Sequence, residues 1–267
     1  MTVYPLADLA LSRRLERCEA RSNAAFVESR ARLMPEVNAT WIERAGAFAM
    51  FDGIGSPLTQ TFGLGIFETP TADDLAHIEQ FFEERGAQVF HEVSPLVEMQ
   101  TMQLLIARGY HPVELTSVMY QPIAELPSSN GRVHARIAAA HEIERWAETS
   151  AEGWREFTEF APMMRELGRV SASANGTVPF FAEIDGRAIA TGAIAIHDGV
   201  AVLAGASTIP EERRQGAQRA LLEARLRHAR AQGCDLAMMC ALPGSASQRN
   251  AERQGFRIAY TRIKWGK

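Results

Sequence analysis

The chain has 267 residues, 46% hydrophobic and 22% charged, with a formal net charge of −4. That length allows one large or two ordinary domains, and either half holds enough apolar material for a core, so disorder is not indicated. The acidic balance and the lack of a long basic run argue against nucleic acid as a partner and leave small molecules.

Cys18, Cys234 and Cys240 form neither a CxxC pair nor a cluster with histidine, so neither a disulfide nor a metal site is expected. Met1 to Leu11 lacks a cationic stretch followed by an apolar one, and the chain has no run of about 18 apolar residues. No membrane partner is expected, and the cysteine usage suits the cytoplasm.

In the first half, Leu75, Ile78, Phe81 and Phe82 mark the buried stripe of a helix that stops at Gly86. A strand through Gln88–Val89–Phe90 follows, then a second helix ending in Arg108–Gly109–Tyr110, then a strand from Val113 to Tyr120. The turn-rich stretch Leu126 to Gly131 reads as a boundary between domains 1–126 and 127–267.

Beyond it, Trp154, Phe157 and Phe160 recur at helical spacing between Glu152 and Val170, either as core or as the lining of a cleft. Val178 to Ile184, the turn Asp185–Gly186–Arg187 and Ala188 to Ile196 read as a hairpin. His197 and Asp198 precede Gly199 in a second turn, and Val200 to Ala206 is a short apolar strand. Leu222, Leu226 and Ala229 then stripe a helix ending before Gly233, a strand follows through Leu236 to Met239, and Gln254–Gly255–Phe256 closes another helix before a strand from Ile258 to Trp265. The spacing from Gly86 to Gly109 nearly equals that from Gly233 to Gly255, so the order reads as one α/β template used twice.

Between the strand ending at Ser207–Thr208–Ile209 and the next helix lies Arg213–Arg214–Gln215–Gly216–Ala217–Gln218. The first N–H groups of a helix lack intrahelical acceptors and sit at the positive end of its dipole. Gly216 lets a ligand approach the backbone, and Arg213, Arg214 and Arg219 add charge suited to phosphate. The plain alternative is a surface turn with solvated arginines.

Pro210 to Leu222 resembles the acetyl-CoA loop and following helix of the GNAT N-acetyltransferases, whose loop reads Arg/Gln-x-x-Gly-x-Gly/Ala. Arg213 and Gly216 match, whereas Gln218 stands where a small residue is expected, where it either crowds the pyrophosphate or lies outward. Gly244 to Phe256 resembles the last helix and turn of the same family. The resemblance spans most of Arg132 to Lys267 and implies two GNAT-like α/β (α+β) domains, each a mixed, mostly antiparallel sheet flanked by helices. It implies acetyl-CoA as co-substrate, its pantetheine held by the backbone at Ser207–Thr208–Ile209 and flanked by Ser245, Ser247 or Asn250; the serines are alternatively helix caps. The family's tyrosine acid has its place taken by Ala251.

In the first copy the corresponding helix start, Thr71–Ala72–Asp73–Asp74, has Thr71 as N-cap and two carboxylates in its first turn, which opposes phosphate, so no CoA is expected there. Direct transfer to an amine needs a base, for which Glu183 in Phe180 to Ile184 is the first candidate; the other reading puts it on the strand's solvent face. Cys234 and Cys240 read as core rather than nucleophiles. The implied enzyme acetylates a small amine, amino acid or peptide amine as a monomer or homodimer; the alternative is a non-catalytic acyl-CoA-binding scaffold.

Overall fold

The computed structural model describes residues 3–123, 131–157, 159 and 161–267. The boundary stretch 126–130 and Phe160 lie outside them. The first half runs α1 (Leu9–Leu33), β1 (Thr40–Arg44), β2 (Ala47–Phe51), β3 (Gln60–Phe62), α2 (Ala72–Glu83), β4 (Phe90–Val93), α3 (Met99–Ala107) and β5 (His111–Pro122). The second runs β6 (His134–Ile137), α4 (Ile143–Glu152), α5 (Ala161–Ala172), β7 (Thr177–Ile184), β8 (Arg187–His197), β9 (Val200–Thr208), α6 (Ala217–Ala231), β10 (Leu236–Ala241), α7 (Ala246–Arg253) and β11 (Arg257–Gly266). From the paired strands onward both halves share the order β-β-β-α-β-α-β, as the glycine spacings indicate.

Two compact units result: Val3–Gln121 with Met238–Lys267, and Pro122–Ala237. This differs from a division at 126/127. The reason is β11, which pairs antiparallel with β4 through Ile263↔Val93 and with β5 through Thr261↔Ser117. Backbone hydrogen bonding to both strands commits the last segment to the first unit, where the strand order is β1-β2-β3-β4-β11-β5.

In that unit Thr71 caps α2 in a reciprocal box with Asp74, and Asp74 is held below the usual carboxylate range by its bonds from Thr71. The stripe Leu75, Ile78, Phe81 and Phe82 is buried against Leu64, Ile66, Val93 and Trp265. Each such side chain stabilises the unit by roughly 1.5–3 kcal/mol relative to exposure.

The second unit holds the order β9-β8-β7-β6, all antiparallel. Its hairpins turn at Asp185–Gly186 and Asp198–Gly199, where all four residues have positive φ (51°, 77°, 49° and 74°), the geometry that matches strand twist. Trp146 of α4 is fully buried among Phe181 and Ala193 and donates to the Phe180 carbonyl at 2.9 Å. Side chains alternate across a strand, so Gly192, next to Ala193, faces the other side, where α6 packs.

The expected helix over 152–170 is two pieces. Helix α4 ends at Glu152, and a turn carrying Trp154 and Phe157 precedes α5. Trp154 and Phe157 are 37% and 52% exposed, with ring centroids 6.2 Å apart, so these two rings are not core.

Candidate functional site

Strand β9 begins as a buried run, Val200 to Leu203, and then exposes three small residues, Ala204, Gly205 and Ala206. The register with β8 slips there, from Ala193↔Ala204 to Thr191↔Ser207, so β9 carries an extra residue. Gly205 takes φ +61° at this bulge, a conformation that costs other residues about 1–2 kcal/mol. A Cβ on it would also come within 3.1 Å of the Trp146 ring.

The carbonyls of Ala204 and Gly205 accept from Arg225 and from the Thr191 hydroxyl, both at 3.4 Å. A trans peptide points its N–H opposite to its C=O. The N–H groups of Gly205 and Ala206 therefore lie on the far side of their peptides from those donors. Backbone donors at such a bulge suit a carbonyl oxygen that gains negative charge.

Past the bulge, the Ser207 hydroxyl donates to the Ser150 carbonyl at 2.8 Å and ties β9 to α4. Gly153 lies so close that a Cβ there would sit 1.9 Å from the Ser207 oxygen. Ile209 is buried, and its N–H donates to the Ile189 carbonyl at 3.0 Å. A 3-10 turn at Pro210–Glu212 follows, in which Arg155 pairs with Glu211, and Arg187 with Glu212. The acidic turn is thereby neutralised locally.

Arg214 takes φ +66°, uncommon for a side-chain-bearing residue, and Gly216 takes φ +90° as N-cap of α6. Among the described residues no side chain caps this helix. The first-turn N–H groups, Ala217 to Arg219, meet no capping side chain, in contrast to α2 with its Thr71 box. A Cβ at Gly216 would meet nothing within 4 Å, so the helix start opens to solvent.

The three arginines differ. Arg213 pairs with Glu156 at 2.6 Å and reaches the Gly153 carbonyl; Arg219 pairs with Glu223 at 2.8 Å one turn along α6. Such exposed pairs contribute about 0–1 kcal/mol and yield readily to a phosphate. Arg214 forms no ion pair with any described residue. Gln215 donates to Glu212 at 2.6 Å. The Gln218 amide donates to the Thr208 hydroxyl at 2.8 Å, reaching from the first turn of α6 back to the end of β9.

Glu183 lies elsewhere in the unit. Its carboxylate accepts two bonds from Arg136, at 2.8 and 2.9 Å, and Arg136 also clasps Glu142. A carboxylate with both oxygens taken by a guanidinium fork braces β6 against β7 and is not presented as a free base. Ser245 caps α7 by accepting from the Gln248 N–H at 3.2 Å, while Ser247 and Asn250 are exposed on the same helix in the other unit. Ala251 is buried. Burial raises the thiol pKa of Cys234 and Cys240, which opposes thiolate formation. Among the described residues no three or more His, Cys, Asp or Glu group as a metal site would require, and no helix is long and apolar enough to cross a membrane.

Residue reading did not single out Gly153, Gly192, Gly205 or Arg225. A glycine inside an apolar strand is the sign of a bulge or a close approach. Arg225 sits four residues after Leu221 on the buried face of α6, a charge inside an apolar stripe.

A bulged strand that turns into an uncapped helix start is the feature that sets this mixed α/β unit apart. Residues 138–256 match the family model described as the acetyltransferase (GNAT) family. Over that segment the chain is similar to the GNAT acetyltransferases. Among solved structures it resembles a GCN5-related N-acetyltransferase from Kribbella flavida, with TM-score 0.63 and 20% identity, over 91% of this chain and 95% of that one. It also resembles one from Sphaerobacter thermophilus (TM-score 0.54, 16% identity, 86% and 75% covered) and a tandem GNAT protein from the clavulanic acid biosynthesis pathway (TM-score 0.56, 13% identity, 83% and 78% covered). No curated protein matches the sequence.

Proposed function

We propose that the protein is an acetyl-CoA-dependent N-acetyltransferase acting on a small amine, an amino acid or a peptide amine. The observation that carries this reading is the single strand-turn-helix unit in which β9 bulges at the exposed Ala204 to Ala206 and the α6 start remains uncapped. The pyrophosphate belongs at Gly216 to Arg219, with Arg214 as the cation at hand and Arg213 recruited from Glu156. The thioester carbonyl belongs at the bulge. The neutral amine attacks the carbonyl carbon, the oxygen gains charge against the N–H groups of Gly205 and Ala206, and the C–S bond breaks with its electron pair leaving on sulfur. The proton lost by the amine ends on that thiolate, through solvent. The exposed Trp154 and Phe157 rings suit an acceptor with an apolar portion. The first half takes no CoA, since Thr71 and Asp74 already occupy the helix start there.

The second reading, a non-catalytic acyl-CoA-binding scaffold, is favoured by the bond between Gln218 and Thr208, which lies across the proposed groove. Calorimetric titration with acetyl-CoA and desulfo-CoA tests both, with one molecule bound per chain as the expected result; no binding overturns both, and two per chain overturns the exclusion of the first half. Thiol release with a panel of amines then separates enzyme from scaffold.

Gln218→Ala is expected to tighten CoA binding about fivefold, because the ligand no longer displaces a hydrogen bond worth about 1 kcal/mol. The same titration checks it. Unchanged or weaker binding would mean that Gln218 lies clear of the ligand or donates to it.

A further inference from the structure

Arg225 is 4% exposed on α6, and no described carboxylate pairs with it. Among the described residues its guanidinium donates only to backbone carbonyls: Leu221 at 3.2 Å on its own helix, Ala193 at 3.2 Å on β8 and Ala204 at 3.4 Å on β9. Gly192 makes room for it, since a Cβ there would lie 3.0 Å from the guanidinium carbon. Burial lowers its pKa to about 10, so the charge persists at neutral pH.

An uncompensated buried cation is costly, and apolar residues of similar volume commonly replace buried charges without loss of stability. Packing alone therefore does not account for an arginine here. Its position does: it lies where β8 and β9 lose register, against the carbonyl of the peptide whose N–H is that of Gly205. A cation on the carbonyl end of a peptide makes its N–H a stronger donor, as in any polarised hydrogen-bond chain.

We infer that Arg225 is a positioning residue for acyl transfer, which fixes the β9 bulge and, through the Ala204–Gly205 peptide, strengthens the donor that meets the thioester oxygen. The inference rests on the cofactor reading above. The guanidinium never touches the substrate. Its charge acts through one peptide plane, and it is already in place before the oxygen gains charge, so no reorganisation accompanies the reaction.

The test uses the full chain with acetyl-CoA labelled with carbon-13 at the thioester carbonyl, a readout that needs no acceptor. The parent protein is expected to shift the bound carbonyl resonance downfield of free acetyl-CoA, Arg225→Met to lose that shift while binding CoA within about threefold, and Arg225→Lys to restore part of it. With an amine substrate in hand, kcat should fall about 100-fold in the methionine variant at little-changed KM, of the order seen when one oxyanion donor is lost. Equal shifts in parent and methionine variant overturn the proposal. Should Arg225→Met fail to fold, Arg225→Gln against Arg225→Lys makes the same comparison of neutral with charged donors, and equal shifts in that pair overturn it too. If the parent binds no CoA, the cofactor reading falls and this inference with it; binding without a downfield shift removes this inference alone.

Discussion

Gly216→Glu is expected to lower CoA affinity about 100-fold or more. The new carboxylate would stand at the N-cap of α6, among the N–H groups proposed for the pyrophosphate. Two like charges 4 Å apart repel by about 1 kcal/mol in water and about 4 kcal/mol at the effective dielectric of a protein surface, and a pyrophosphate presents more than one charge. The carboxylate would in addition satisfy the helix start that the ligand is meant to fill. Strain from φ +90° is a separate contribution, about 1–2 kcal/mol for any side chain. Gly216→Ala carries that strain without the charge, so the pair of titrations separates them. Equal loss in both variants would assign the effect to the backbone and not to a phosphate.

The second large effect is one of stability in the first unit. Arg262 of β11 is buried among three carboxylates: Glu92 of β4 at 2.8 Å, and Glu16 and Glu19 of α1 at 3.2 and 2.5 Å. Tyr260 donates to Glu16 at 2.9 Å, the Cys240 thiol donates to Glu19, and Lys264 is the other cation whose field reaches Glu92. Burial raises the pKa of Glu16 and of Glu92, opposed by the Arg262 charge. Arg262→Met leaves those carboxylates buried without their cation and is expected to destabilise the unit by about 3–5 kcal/mol near pH 8.

The pH dependence follows from the direction of the shifts. Carboxyls whose folded pKa lies above the unfolded value bind protons in the folded state first, so their contribution to stability is full below 4.5 and lost as pH rises through the folded values. The loss in Arg262→Met should accordingly shrink between pH 8 and pH 5, and adding Glu16→Gln should recover part of it. Urea midpoints of the full chain measure both. A loss of the same size at both pH values would exclude uncompensated carboxylates as its cause.

Much of the local structure was legible because it depends on neighbours in the chain. The apolar stripe of α2, its Thr71 cap, the Asp–Gly hairpin turns and the Gly216 helix start are set by periodicity, capping and positive-φ preference over a few residues. The spacing of Trp154 and Phe157 misled, because threefold spacing is equally available to a turn between two helices. The partner of Glu183 was not legible, because strand alternation gives a side chain its face but not its partner, and Arg136 is 47 positions away in the chain.

By itself the sequence determined the repeated order of elements, the resemblance of its second half to a known family and the location of the glycine-led start of α6, since each is written in short-range pattern. Only the tertiary structure decided where β11 pairs, that β9 bulges at Gly205 beside a buried Arg225, and that Gln218 reaches back to Thr208. Strand partners, burial and the surroundings of a charge depend on residues far apart in the chain, and no local pattern specifies them.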